Sequence, residues 1–208
     1  MAGVLRVSPE ELYCLGEILH AEYMDYSYIA AMDKYSIDMS LMSKDARSSL
    51  VKKGVLSEDF SGDIIPNGDY LELLDPVFFS ALEISADVYK VLPEQGMDSV
   101  NIHYYDGKVT MVKPVGTDLE LTSVSEEDVK NKLKSVFEIS EPSEQDVFDK
   151  DNVSRIISVK RLLPGRSASV SVIMESGGAF FTETADAGMQ RLSSDDFLEK
   201  VFDFTKEI

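Results

Sequence analysis

Apolar residues recur with helical spacing over roughly the first 97 residues and alternate singly with polar ones over much of the rest. Ser8, Pro9, Glu10 and Glu11 make a helix start: a hydroxyl cap, proline at the first helical position and a carboxylate three residues beyond the cap. Leu12, Leu15, Ile18 and Leu19 then form one stripe. The segment EYMDYSYIAAMDKYSIDMSLM follows, dense in Tyr and Met, with Tyr28, Ile29, Met32 and Tyr35 at helical spacing. Such a segment fills a core or offers an adaptable surface to a partner.

The stretch RSSLVKKGVLSEDFSGDII has the order of a helix and wing. Ser43 is expected to cap a helix through Val51, with Ala46, Leu50 and Val51 inward and Gly54 ending it. Val55, Leu56, Ile64 and Ile65 predict two short strands around an acidic turn. Asn67 then caps a helix whose apolar face is Tyr70, Leu71, Leu74, Phe78, Leu82 and Ile84, kinked or split by Pro76.

From residue 97 the period is that of strands. Asp106-Gly107 is a two-residue hairpin turn that sets Tyr105 against Lys108 and Tyr104 against Val109. Ile102, Tyr104, Val109 and Met111 fall on one face, and His103, Tyr105, Lys108 and Thr110 on the other, polar one. A strand near Leu119 to Leu121 leads to Ser125 and Asp128, which cap a helix with Val129, Leu133, Val136 and Phe137 inward.

After the acidic linker SEPSEQDVFDKD the order repeats: strands over Arg155 to Leu163 and Ala168 to Glu175, then AFFTET, then a helix capped by Ser193 with Phe197, Val201 and Phe204 inward. Val170, Val172, Met174 and Phe181 share one face. The expected fold class is α+β, built as one compact domain. A helical, winged-helix-like part at 1–97 precedes a duplicated part at 98–208. Its two strand-strand-strand-helix units, about 99–139 and 153–206, form an antiparallel sheet with helices on one face.

Charge narrows the function. The 20 Lys and Arg face 38 Asp and Glu, a net charge of −18, and no basic cluster is present to displace counterions from a phosphate backbone. Nucleic acid and anionic membrane surfaces are therefore disfavoured; a strongly negative surface chiefly keeps a protein soluble, and a cationic or partly exposed protein partner is the sharper reading of it. Lys52 and Lys53, the residues a DNA-reading helix would offer, lie among Asp45, Glu58, Asp59 and Asp63 and suit the negative end of their own helix. Cys14 is the sole cysteine, so no internal disulfide forms and a cytoplasmic location is expected. No stretch approaches the roughly 18 apolar residues of a membrane span.

No catalytic constellation stands out. His20 and His103 are the only imidazoles, and Cys14 and His20, six residues apart, do not share a helix face. One Cys and two distant His make no usual zinc set. DKYSIDMSLMSKD lacks the glycine and closing glutamate of a calcium loop, and no phosphate loop or dinucleotide fingerprint occurs. The expectation is a non-enzymatic protein with no catalytic residues, cofactor or metal.

The stretch SSLVKKGVLSEDFSGDIIPNGDYLELLDPVFFSALEISADVYKVL, together with the opening VSPEELYCLGEIL, resembles the EspG family of cytosolic type VII (ESX) secretion chaperones. That family includes EsaE-like proteins of Gram-positive secretion loci. The resemblance implies binding of a secretion substrate, a secreted protein or toxin, but assigns no individual residue. Reading the residues themselves, the protein-binding candidates are Tyr105 opposite Lys108, His103 opposite Thr110, and Phe180 beside the second turn. Two other readings stay beside the chaperone: an immunity protein that neutralises a toxin, and a winged-helix transcriptional regulator.

Overall fold

Ser8 starts the first helix as its neighbours require. Its Oγ accepts the Glu11 N–H at 3.2 Å while its own N–H donates to Glu11 Oε2 at 2.8 Å, a complete capping box. In the computed structural model, which describes residues 3–30, 32, 39–90, 97–125, 128–129, 131, 147–163, 167–184, 188–193 and 195–196, this helix is α1 (Pro9–Leu19). Strand β1 (Val4–Val7) precedes it. A short α2 (Tyr26–Ile29), α3 (Met39–Lys52), a hairpin of β2 (Leu56–Glu58) and β3 (Ile64–Pro66), and α4 (Gly68–Phe78) follow. The remaining strands are β4 (Leu82–Lys90), β5 (Met97–Tyr105), β6 (Lys108–Val115), β7 (Asp118–Val124), β8 (Val153–Leu163), β9 (Ser167–Ser176), β10 (Ala179–Thr184) and β11 (Gly188–Leu192).

Nine of these strands form one antiparallel sheet in the order β1-β7-β6-β5-β4-β8-β9-β10-β11, and β2 and β3 form a separate pair. This overturns the expected fold class, a helical front followed by two duplicated three-strand-plus-helix units. The first 97 residues supply two strands of the large sheet, β1 and β4. The stretch after the acidic linker supplies four strands rather than three, because Gly188–Leu192 pairs along β10. The front is not a free-standing winged helix either, since β1 pairs with β7 from Val4↔Thr122 to Val7↔Leu119.

The expected long helix after Asn67 is likewise shorter. Asn67 caps it through Oδ1 and the Asp69 N–H at 3.1 Å, but it ends at Phe78, two residues past Pro76. Leu82, Ile84, Ala86 and Val88 then alternate as the buried side of β4. Ser43 is no cap, because α3 begins at Met39. Gly54 does end α3: with φ +73 it lets its N–H reach Val51 O at 3.0 Å and the Val55 N–H reach Leu50 O at 3.0 Å, both bonds of a Schellman motif. Ala46 and Leu50 face inward, whereas Val51 is exposed. Ser125 and Ser193 each accept the N–H three residues on, at 3.1 and 3.0 Å, as N-caps do. The inward residues expected after them, Leu133, Val136, Phe137, Phe197, Val201 and Phe204, lie outside the described residues, as does Tyr35.

The chain divides into two compact units. The first, Met1–Ala81 with His103–Val124, packs α1, α3 and α4 around one core. Leu5 and Val7 of β1, Val112 of β6, and Leu119 and Leu121 of β7 lie on a single sheet face by register and meet Leu12, Leu15, Leu50, Leu74 and Phe78 of the helices. Each of these side chains is essentially out of water, and full burial of a Leu or Phe is worth about 1.5–3 kcal/mol. The reverse face carries the Arg6–Glu120 ion pair at 2.7 Å, with Lys113 directly across from Glu120. The second unit, Leu82–Ile102 with Ser125–Ile208, is built on β4 and β8 to β11.

Candidate protein-binding site

Of the five residues singled out from the sequence, three are buried. His103 is fully enclosed in the first unit, where its Nε2 and Tyr28 Oη share a hydrogen bond of 2.6 Å. Burial, only partly offset by the Asp25 carboxylate, lowers its pKa to about 4. Thr110 is equally enclosed and donates through Oγ1 to Leu73 O of α4 at 2.9 Å. The strand face read as polar therefore lies beneath α2 and α4, which hydrogen-bond the Thr110 hydroxyl and the Nε2 of His103 instead of leaving them to solvent. Phe180 is fully buried in the second unit.

Tyr105 and Lys108 are the two that reach water. They flank the Asp106-Gly107 turn, whose positive φ values of 49 and 71 are those of the expected two-residue hairpin. Both lean on the end of α4: Tyr105 against Phe79 with ring centroids 6.0 Å apart, and Lys108 Nζ donating to Asp75 Oδ2 at 3.2 Å.

Lys53 is engaged within the protein. Its Nζ donates to Glu11 Oε2 at 2.6 Å and to Arg6 O, on the sheet-edge strand β1, at 3.1 Å. Burial by itself would raise the Glu11 pKa, but hydrogen bonds from Lys53, Ser49 and the Ser8 N–H, with the lysine's charge, bring it below the ordinary value. The ammonium that a DNA-reading helix would extend thus ties α3 to α1 and β1.

The second unit carries an open sheet face; the first unit's exposed apolar residues, Phe60 of the β2–β3 turn among them, lie elsewhere. In the registers of β4, β8 and β9, Tyr89, Ile156 and Met174 form one row of a sheet face; Asp87, Ser158 and Val172 form the next; Ser85, Lys160 and Val170 the third. The Met174 end continues to Phe181, which is buried edge-on against Phe148 with centroids 5.5 Å apart. Beyond it the face opens: Val170 is 62% exposed, Val172 44% and Tyr89 45%. Two β-branched residues aimed at water from neighbouring rows, among half-buried Ile156 and Met174, suit protein contact better than solvent.

The alternation in SASVSVIMES marked that face, since Val170, Val172, Met174 and Phe181 do share it. It did not mark which side is open. The reverse side is the buried one: Ile157, Val159, Ile173 and Phe180 lie on it, together with the Arg155–Glu175 ion pair, of which both side chains are about 11% exposed.

For chemistry the described residues offer little. None of them form a group of three or more His, Cys, Asp or Glu able to hold a metal ion. Cys14 is buried with its Sγ 3.9 Å from Ser43 O, and burial raises its pKa despite the nearby Arg47. No described helix is long and apolar enough to cross a membrane.

No protein-family model matches the chain, and no curated protein matches it by sequence. Its fold is similar to that in the structure of the Mycobacterium tuberculosis type VII secretion system chaperone EspG5 in complex with the PE25-PPE41 dimer. The TM-score is 0.61 over 96% of this chain and 94% of that one, with 9% of residues identical. At that identity the likeness establishes an EspG-like fold for this chain and does not extend to the EsaE-like proteins in particular.

Proposed function

We propose that this chain is a non-enzymatic cytoplasmic chaperone or adaptor that binds a type VII secretion substrate, a secreted protein or toxin, and keeps it soluble until export. The observation that carries the reading is the open apolar face of β8 and β9, found on an EspG-like fold. A protein partner would cover Val170 and Val172 and gain the transfer free energy of both, while Lys160 and Asp87 beside them fix its register through charge. The EspG5 structure supports the reading in one respect: that relative is a chaperone solved with a bound protein dimer.

The net charge of −18 also suits an immunity protein that covers a basic toxin. Deleting the gene in a host that carries the secretion locus separates the two. A chaperone's loss leaves the substrate aggregated inside the cell and missing outside it, without killing the producer. Unchanged export together with self-intoxication would overturn the chaperone reading and leave the immunity one.

A further inference from the structure

The first unit contains a cleft of about 310 Å³ beside the end of α1, a volume at the small end of the roughly 300–1,000 Å³ typical of ligand clefts. It has room for one side chain and its flanking backbone. Gly16 lines it with Ala21, Met24 and Ile29. A Cβ at Gly16 would lie 2.4 Å from Met24 Cε and 3.3 Å from Phe78 Cε1, so glycine is what lets the methionine lie across the helix. Tyr13 and Tyr23, both half-buried, also line the cleft. The loop after α1 is pinned there, because the Glu22 and Tyr23 N–H groups both donate to Phe78 O, at 3.1 and 3.0 Å.

The charged side chains among the described lining residues have one sign. Among the described residues that line it, Glu17 and Glu22 are exposed carboxylates, none is a lysine or arginine, and His20 is the one other ionisable side chain besides the tyrosines. The negative end of the α1 dipole lies at the same place, with no basic residue in the helix's last turn. Met24 and Ile29 to take an aliphatic stem, tyrosine to face a planar cation and two exposed carboxylates in the lining are together the chemistry that receives arginine.

We infer that the cleft at the end of α1 receives an arginine side chain of a protein partner, held by Glu17 and Glu22 and packed on Tyr13 and Met24. The inference stands on this cleft alone and holds or fails separately from the chaperone reading.

The test is an NMR titration of the full chain with N-acetyl-arginine amide, beside the lysine and norleucine amides. Saturable shifts centred on the amides of Gly16, His20, Glu22 and Met24 are expected with the arginine compound. Affinity should fall at least about threefold for norleucine, and by as much in the Glu17→Gln/Glu22→Gln variant, whose exposed side chains leave the fold unchanged. Absence of saturable shifts at these amides, or norleucine binding as well as arginine, would overturn the site. Lysine binding as well as arginine would overturn the choice of arginine. Should the double variant lose its fold, the norleucine arm on the unaltered chain decides the question.

Discussion

Tyr28 Oη and His103 Nε2 share a 2.6 Å hydrogen bond across 75 residues of sequence, joining α2 to β5 inside the first unit. The imidazole is wholly buried, and protonating it there costs far more than in water.

Between about pH 4 and 6.5 stability should therefore depend on pH through this group. With a folded pKa of about 4 against an ordinary 6.5, the unfolded chain binds more protons between those values. Stability then rises with pH across that window, is flat with respect to His103 above it, and the full effect is about 3 kcal/mol. Urea melts from pH 4.5 to 7.5 should show this slope, and His103→Gln should remove it. An identical slope in the variant would show that other groups titrate.

Lys53→Met should destabilise the first unit by about 1–2 kcal/mol, a value discounted because the lysine is 40% exposed. It takes the cation from a Glu11 carboxylate that keeps only its Ser8 and Ser49 hydrogen bonds, and uncaps Arg6 O at the sheet edge. The Glu11 pKa lies below its ordinary 4.5, so the pair contributes stability above that value and loses it as pH falls through the folded pKa. The variant should accordingly lose less than the parent on acidification. Thermal melts of Lys53→Met and Lys53→Met/Glu11→Gln check this, with the double variant recovering part of the loss.

His20 closes α1 in the left-handed region at φ 55 and ψ 50, where a Cβ is strained. His20→Gly should raise stability by about 1 kcal/mol, read as a higher urea midpoint at unchanged slope. A lower midpoint would mean that the imidazole has packing worth more than the relieved strain.

Cys14 should react with an aromatic disulfide reagent only after denaturation, because its thiol is buried and burial raises its pKa. Stoichiometric reaction in native buffer within seconds would contradict the packing of α1 on α3.

Signals confined to a few adjacent residues were legible in the sequence. The caps at Ser8, Asn67, Ser125 and Ser193, the stop at Gly54 and the Asp106-Gly107 turn each need only near neighbours, and each occurs. Leu82 misled because it continues the four-residue spacing of Leu74 and Phe78. The alternation of Ile84, Ala86 and Val88 that reveals β4 is diluted by Glu83, Ala86 and Asp87, which carry little strand preference. His103 and Thr110 read as surface groups because their partners, Tyr28 and the Leu73 carbonyl, are set by tertiary packing. The exposure of Val170 and Val172 was hidden for the same reason: alternation sorts two faces without saying which one is covered.

The central claim is that the β8–β9 face binds a secreted protein. Its most direct test is the light-scattering mass of the complex purified after co-expression with a substrate encoded in the same type VII locus, using the unaltered chain and Val170→Glu/Val172→Glu. A defined complex is expected for the unaltered chain. For the variant only the free, folded chain is expected, since both positions are substantially exposed and Val→Glu in a strand costs about 1 kcal/mol or less each. A complex of equal mass and yield with the folded variant, or none with the unaltered chain across the substrates of the locus, would contradict it.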